Sequence, residues 1–255
     1  MTKNVERFTV RVEEYERYRL RYPGEVIRTL TERCGLTREH LVADIGAGTG
    51  MLAELFLEHG NAVVAVEPND GMRAACERLT SAWPGLTVRK ATAEETGLED
   101  ASVDFVVVGR ALHWFDLDLA MQEFRRVLRP DGWVVLVAHG RSQGESPREV
   151  ELERILAEEG NDYRNVKKRY LVHETVLSMF AQGSVWQEQM DGEQLLTLEE
   201  FLGQVQSYSA APLPGEPKYA GMQRALREYF ARWAEDGKLR MGTACFLTCG
   251  RFSTR

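Results

Sequence analysis

Val42-Ala43-Asp44-Ile45-Gly46-Ala47-Gly48-Thr49-Gly50, followed by Glu67 at the end of the next apolar run, decides the fold of this 255-residue chain. The stretch reads as a strand, a glycine turn and a helix that begins near Thr49. Glycines at 46, 48 and 50 bring no β-carbon to hold a ligand off the backbone, and they tolerate positive φ. A helix start aims unpaired N–H groups at whatever occupies the turn. Glu67 closes the run Ala62-Val63-Val64-Ala65-Val66. An ionised carboxylate accepts hydrogen bonds and donates none, which suits the vicinal diol of a ribose. Together these features predict a nucleoside-type cofactor.

The register of the glycines narrows that choice. A dinucleotide fingerprint places its third glycine where this chain has Met51, so a nicotinamide oxidoreductase is disfavoured. The register D-x-G-x-G-x-G resembles motif I of the class I S-adenosylmethionine-dependent methyltransferases. Thr92-Ala93-Glu94, the buried run Asp104-Phe105-Val106-Val107-Val108 and Leu128-Arg129-Pro130-Asp131-Gly132 before the strand Trp133–Ala138 follow in that family's order. The resemblance implies S-adenosyl-L-methionine as cofactor. It also implies that Gly46, Ala47 and Gly48 face its amino-acid end, that Glu67 takes the ribose hydroxyls, and that Ala93 and Glu94 meet the adenine. Pro68, Gly109 and Arg110 join the cofactor contacts. Met72 is either a soft contact to the adenine or a helix-packing residue. Asp44 is expected to order the turn through backbone N–H groups and to reach the cofactor ammonium directly or through water.

Phe8 through Pro23, ending Tyr18-Arg19-Leu20-Arg21-Tyr22-Pro23, resembles the opening of a methyltransferase-11-like subgroup related to trans-aconitate methyltransferase. Ala111-Leu112-His113-Trp114-Phe115, Ser207-Tyr208-Ser209 and Asp236-Gly237-Lys238 resemble further segments of it. By that resemblance Arg19 and the neighbouring tyrosines close over the cofactor carboxylate; a surface helix with packed rings is the alternative. Two departures stand out: Leu20 replaces a proline, and Gly109-Arg110 replaces Ala-Gln. Arg110 thus brings a cation to the cofactor or substrate mouth.

A formal charge of −7 disfavours a nucleic acid partner, because neutralising phosphates needs a basic surface. The one basic cluster, Lys167-Lys168-Arg169, reads as a solvated helix face. No apolar run approaches the roughly 20 residues that span a bilayer, and Thr2-Lys3-Asn4-Val5-Glu6 lacks a signal-peptide core. The expectation is a cytoplasmic monomer or homodimer. Cys34, Cys76, Cys245 and Cys249 form no C-x-x-C and have no histidine at metal spacing, so neither a disulfide framework nor a metal site is expected.

The predicted fold class is α/β: a doubly wound, mostly parallel seven-stranded sheet, Rossmann-like. Residues 1–38 read as an N-terminal helical segment covering the cofactor site, and 39–144 as the cofactor-binding core. Residues 145–240 read as a mostly helical cap that defines the substrate region, and 241–255 as a strand returning to close the sheet with an antiparallel edge. Two functions compete: methylation of a small molecule, or a non-catalytic module that binds the cofactor or a partner. In the first, transfer is an in-line displacement, and a base is needed only when a hydroxyl or ammonium attacks. His113 stands where a substrate arrives and is the candidate base. A packed or capping histidine is the competing reading, and His139 at the fifth strand's end is equally a structural candidate. Trp114 and Phe115 are either an apolar wall for the substrate or core.

Overall fold

The computed structural model describes residues 11–164, 176–182 and 184–252. Phe8, the basic cluster at 167–169 and the first ten residues of the expected N-terminal segment lie outside them.

Seven strands form one sheet: β1 (Leu41–Ile45), β2 (Ala62–Val66), β3 (Leu86–Arg89), β4 (Val103–Gly109), β5 (Leu128–Arg141), β6 (Trp186–Leu196) and β7 (Leu239–Gly250). The spatial order is 3-2-1-4-5-7-6. The first five pair in parallel, with Asp44 beside Ala65 on one side and Val107 on the other. β7 runs antiparallel to β5 and to β6. Strands near the centre are continuous Val, Ala and Phe runs because helices cover both faces.

On one face, α2 (Glu25–Cys34) and α3 (Met51–His59) bury Val26, Leu30, Leu52 and Phe56 against Val42, Phe105 and Val135. On the other, α5 (Leu117–Val127) buries Ala120, Phe124 and Val127 against Ile45, Val106 and Val134. Asp116 caps α5 by accepting from the Leu119 N–H at 3.3 Å. Each fully buried Phe, such as Phe56 or Phe124, contributes about 2–3 kcal/mol through area removed from water. α1 (Val12–Tyr18) and α4 (Asp70–Arg78) complete the core's helices.

The third cluster belongs to the cap. α6 (Pro147–Glu159), α7 (Leu198–Gln206) and α8 (Tyr219–Trp233) gather Leu152, Ile155, Phe201, Met222 and Leu226 around Leu239 and Met241 of β7. Ser146–Glu149 and Thr197–Glu200 form capping boxes that start α6 and α7.

Three expectations are corrected. The segment 145–240, expected to be mostly helical, contains the eleven-residue strand β6. The final strand is not an edge, because β7 inserts between β5 and β6 and leaves β6 outermost. The turn at 128–132 is absorbed into β5 as an irregularity: pairing with β4 shifts between Val103 and Phe105, and Asp131 takes φ +65°. β6 hides in the sequence because Glu188 occupies an inward position. It is held there by Arg33 at 3.1 Å, whose guanidinium lies 3.8 Å from the Trp186 ring.

The turn into α3 carries a demanding constraint. Gly50 sits at φ +86°, and a β-carbon there would lie 2.8 Å from both Cys76 Sγ and Leu79 Cδ1. Gly50→Ala should therefore cost about 1–3 kcal/mol in a urea unfolding experiment, from backbone strain and overpacking together. An unchanged midpoint would contradict this packing.

Candidate cofactor and substrate site

The carboxyl ends of β1, β2, β4 and β5 open into one cavity of about 660 Å³, roofed by the cap and by the residues following α1. Strand tips in an open parallel sheet leave such a crevice where the chain direction reverses about the first strand.

The glycine turn forms the floor. Its N–H groups at Gly46 and Ala47 both bond to Val66 O, at 2.9 and 3.1 Å. The next, Gly48 N–H, donates to Glu67 Oε2 at 2.8 Å, while Asn69 N–H donates to Glu67 Oε1 at 2.7 Å. Among the described residues nothing lies within 4 Å of where a Gly48 β-carbon would point, so they leave this side of the turn open. Burial raises Glu67 above the ordinary glutamate value; the N–H groups of Asn69 and Gly48, and the Arg73 charge, oppose that. Each carboxylate oxygen keeps further acceptor capacity.

Residues 43–136 match the family described as Methyltransferase domain. Over that stretch the chain is similar to methyltransferase domains. An uncharacterized methyltransferase of Mycobacterium tuberculosis strain H37Rv is 42% identical over 129 residues, covering 51% of this chain and 50% of its own length. A Saccharomyces cerevisiae protein named as an S-adenosylmethionine-dependent methyltransferase is 28% identical over 122 residues, 46% of this chain and 42% of that one. These matches span about half the length of the curated relatives, or less. A solved methyltransferase structure from Anaeromyxobacter dehalogenans superposes with a TM-score of 0.69 at 27% identity, covering 92% of this chain and 98% of that one.

Arg19, Gly46, Gly48, Glu67, Pro68, Met72, Ala93, Glu94, Gly109, Arg110 and His113 all line this cavity. Asp44 and Ala47 are not among its lining residues. Ala47 gives the turn only its backbone, accepting from Gly50 N–H at 2.9 Å. Asp44 lies fully buried beneath the turn, whose N–H groups bond to Glu67 and Val66.

Arg110, expected to bring a cation to the mouth, is held by structural bonds. At φ +55° its guanidinium donates to Leu20 O (3.1 Å), His139 O (3.2 Å) and Tyr22 Oη (3.1 Å). It fastens the segment after α1 to the ends of β4 and β5. Arg19 lies 5.3 Å from the Tyr15 ring and 5.0 Å from the Tyr208 ring, and its buried Nε has no hydrogen-bond partner among the described residues. Glu94 accepts from Asp116 N–H at 2.8 Å. His113 packs beside Trp114, their ring centroids 4.7 Å apart. His139 lines the wall with an Nδ1 that has no hydrogen-bond partner among the described residues, and burial followed by the Arg110 charge pushes it down to about 4.

On the cap side stand Arg141, Tyr163, Gln187, Gln204, Phe246 and Thr248, none of which the sequence singled out. Arg141 is anchored by Glu153 and by Tyr163 Oη at 3.0 Å. Gln187 donates to Thr248 at 3.1 Å across the β6–β7 pair. Their signal was unreadable because it depends on the register of a strand that polar residues disguise.

The open Gly48 side, the Glu67 carboxylate and the orphaned Arg19 Nε fit a ligand bearing a diol and a carboxylate, as S-adenosylmethionine does. Beneath them, Asp44 is fully buried. Burial pushes Asp44 up to about 7; the Ala53 N–H pulls the other way and the Glu67 charge adds to the rise. A carboxyl whose folded value is raised keeps its proton where the unfolded chain has lost it. Stability should therefore fall as pH rises from about 4 to about 7 and stay lower above that. Relative to Asp44→Asn, the wild type should lose more than about 1 kcal/mol between pH 4 and pH 8, read from urea midpoints. A difference that does not vary with pH would contradict the assignment.

Proposed function

We propose that this protein transfers a methyl group from S-adenosyl-L-methionine to a small molecule held between the core and the cap. The observation that carries the reading is a single cavity. Its core half is floored by the open glycine turn, and its cap half is walled by side chains from β5, β6, β7 and α7.

In this reading Glu67 receives the ribose hydroxyls while it holds the turn, and Gly46 and Gly48 let the ligand approach the backbone. Pro68, Met72, Ala93 and Glu94 border the adenine. Arg19, Gly109 and Arg110 border the amino-acid end, with Arg19 taking the carboxylate. When bound, the cofactor supplies a methyl group on a sulfonium, whose leaving group needs no protein activation. The chain's task is therefore to place the acceptor atom, exclude water and manage a proton where one must leave. Trp114 and Phe246 offer apolar surface to a substrate, and the Gln187, Gln204 and Arg141 side chains offer polar partners.

The Tyr15-to-Pro23 run and His113-Trp114-Phe115 support placement in the methyltransferase-11-like subgroup related to trans-aconitate methyltransferase. Four buried free thiols support a reducing compartment, hence the cytoplasm. The charge of −7 supports a small-molecule partner over a polyanion.

Isothermal titration should show S-adenosylhomocysteine binding in the micromolar range and no binding of NADH. Incubation of a metabolite extract with methyl-labelled S-adenosylmethionine should then yield a labelled small molecule. Binding without any labelled product would favour a non-catalytic module. Absence of S-adenosylhomocysteine binding would defeat the reading altogether.

A further inference from the structure

Of the acceptors on the cavity wall, most are committed. Glu67 holds two backbone N–H groups and Glu94 holds a third. His139 is held down to about 4 by burial and by the Arg110 charge, which makes it a poor proton acceptor near neutrality. Tyr15, on α1, differs from these. Its ring lines the cavity between two guanidinium groups, Arg19 at 5.3 Å and Arg110 at 6.0 Å from its centroid. Both cations are fixed: Arg110 by Leu20, His139 and Tyr22, and Arg19 by the Tyr208 ring on its other side.

Resting on the methyl-transfer reading, we propose that Tyr15 takes the proton from the attacking atom. The acceptor group of the substrate is accordingly a hydroxyl or an ammonium rather than a carboxylate.

Two fixed positive charges beside a phenol favour its ionised form. The groups facing Tyr15 are Arg110 from the turn after β4, Arg19 from the end of α1, Glu67 from the tip of β2 and Tyr22 from the segment before α2. Burial alone would raise the phenol, and Glu67 adds to that, yet the Arg110 and Arg19 charges outweigh both and hold it below the usual tyrosine value. A phenolate is a far stronger base than a neutral imidazole, so even a small ionised fraction serves general-base catalysis. The step balances. The proton passes from oxygen or nitrogen to Tyr15 Oη, and the freed electron pair forms the bond to the methyl carbon. The carbon–sulfur pair remains on sulfur as a neutral thioether, and the phenol returns its proton to water. A carboxylate acceptor would carry no proton for this phenol to take.

The test begins without any substrate. Tyrosinate absorbance is titrated for the wild type and for Tyr15→Phe, and the difference isolates one of the eight tyrosines. The expected result is an ionisation below the usual value of 10.0 that moves upward in Arg19→Gln and returns in Arg19→Lys. With labelled donor and extract, Tyr15→Phe should lower the transfer rate by about 100-fold or more and remove its acid limb in pH, while S-adenosylhomocysteine affinity stays within about fivefold. Titration of Tyr15 at or above the usual value would overturn the proposal. So would a Tyr15→Phe rate within about threefold of wild type, or an acid limb that disappears in His113→Asn and survives in Tyr15→Phe. Loss of S-adenosylhomocysteine binding by the wild type would instead strike the methyl-transfer reading, because the titration is read on the protein alone.

Discussion

The Glu67 carboxylate is where the fold becomes a site. One oxygen accepts from Gly48 N–H and the other from Asn69 N–H, so a single side chain fixes both the glycine turn and the start of α4. Asn69 in turn caps α4 by accepting from Met72 N–H at 2.8 Å. Charge-assisted bonds of this kind are about twice as strong as neutral ones, and burial strengthens them further. The floor of the cavity and the wall that begins at Asn69 are thereby set in one geometry before any ligand arrives. Such pre-organisation lowers the ordering cost of binding.

Charge is divided unevenly around that point. On the turn's inner side lie Asp44 and Glu67, two carboxyl groups that burial pushes upward, with the Glu67 charge adding to the rise at Asp44. Above it, the segment following α1 and the turn after β4 bring Arg19 and Arg110, with three tyrosines interleaved among them. A zwitterionic ligand with a cationic centre and a carboxylate matches this polarity, acid below and guanidinium above. The same division explains why Arg110 takes a left-handed backbone: its side chain must reach back to Leu20 and Tyr22 to close the roof.

Much of the core was readable because its physics is local. Strand, glycine turn, helix and acid follow one another within 26 residues, from Val42 to Glu67, and each has a chemical reason to occupy its place. The seven-stranded sheet and the cavity residues from Arg19 to His113 follow from that order. The position of Asp44 beside the turn is plain in the sequence, whereas its complete burial is not. β6 was illegible for a different reason. Its inward positions include Glu188, balanced by Arg33 from a helix more than 150 residues earlier, so alternation of apolar residues fails as a signal. The cap wall inherits that opacity, since Gln187 and Thr248 meet only through the pairing of β6 with β7.

The central claim is that Glu67 holds the ribose diol of the cofactor while it holds the turn. Its most direct test is a thermodynamic cycle by isothermal titration, pairing S-adenosylhomocysteine and its 2′-deoxy analogue with the wild type and Glu67→Ala. Removing the ribose hydroxyl should weaken binding to the wild type by about tenfold or more and cost almost nothing further in Glu67→Ala, a coupling of roughly 1–2 kcal/mol. Equal penalties in both proteins would show that the hydroxyl and the carboxylate never meet.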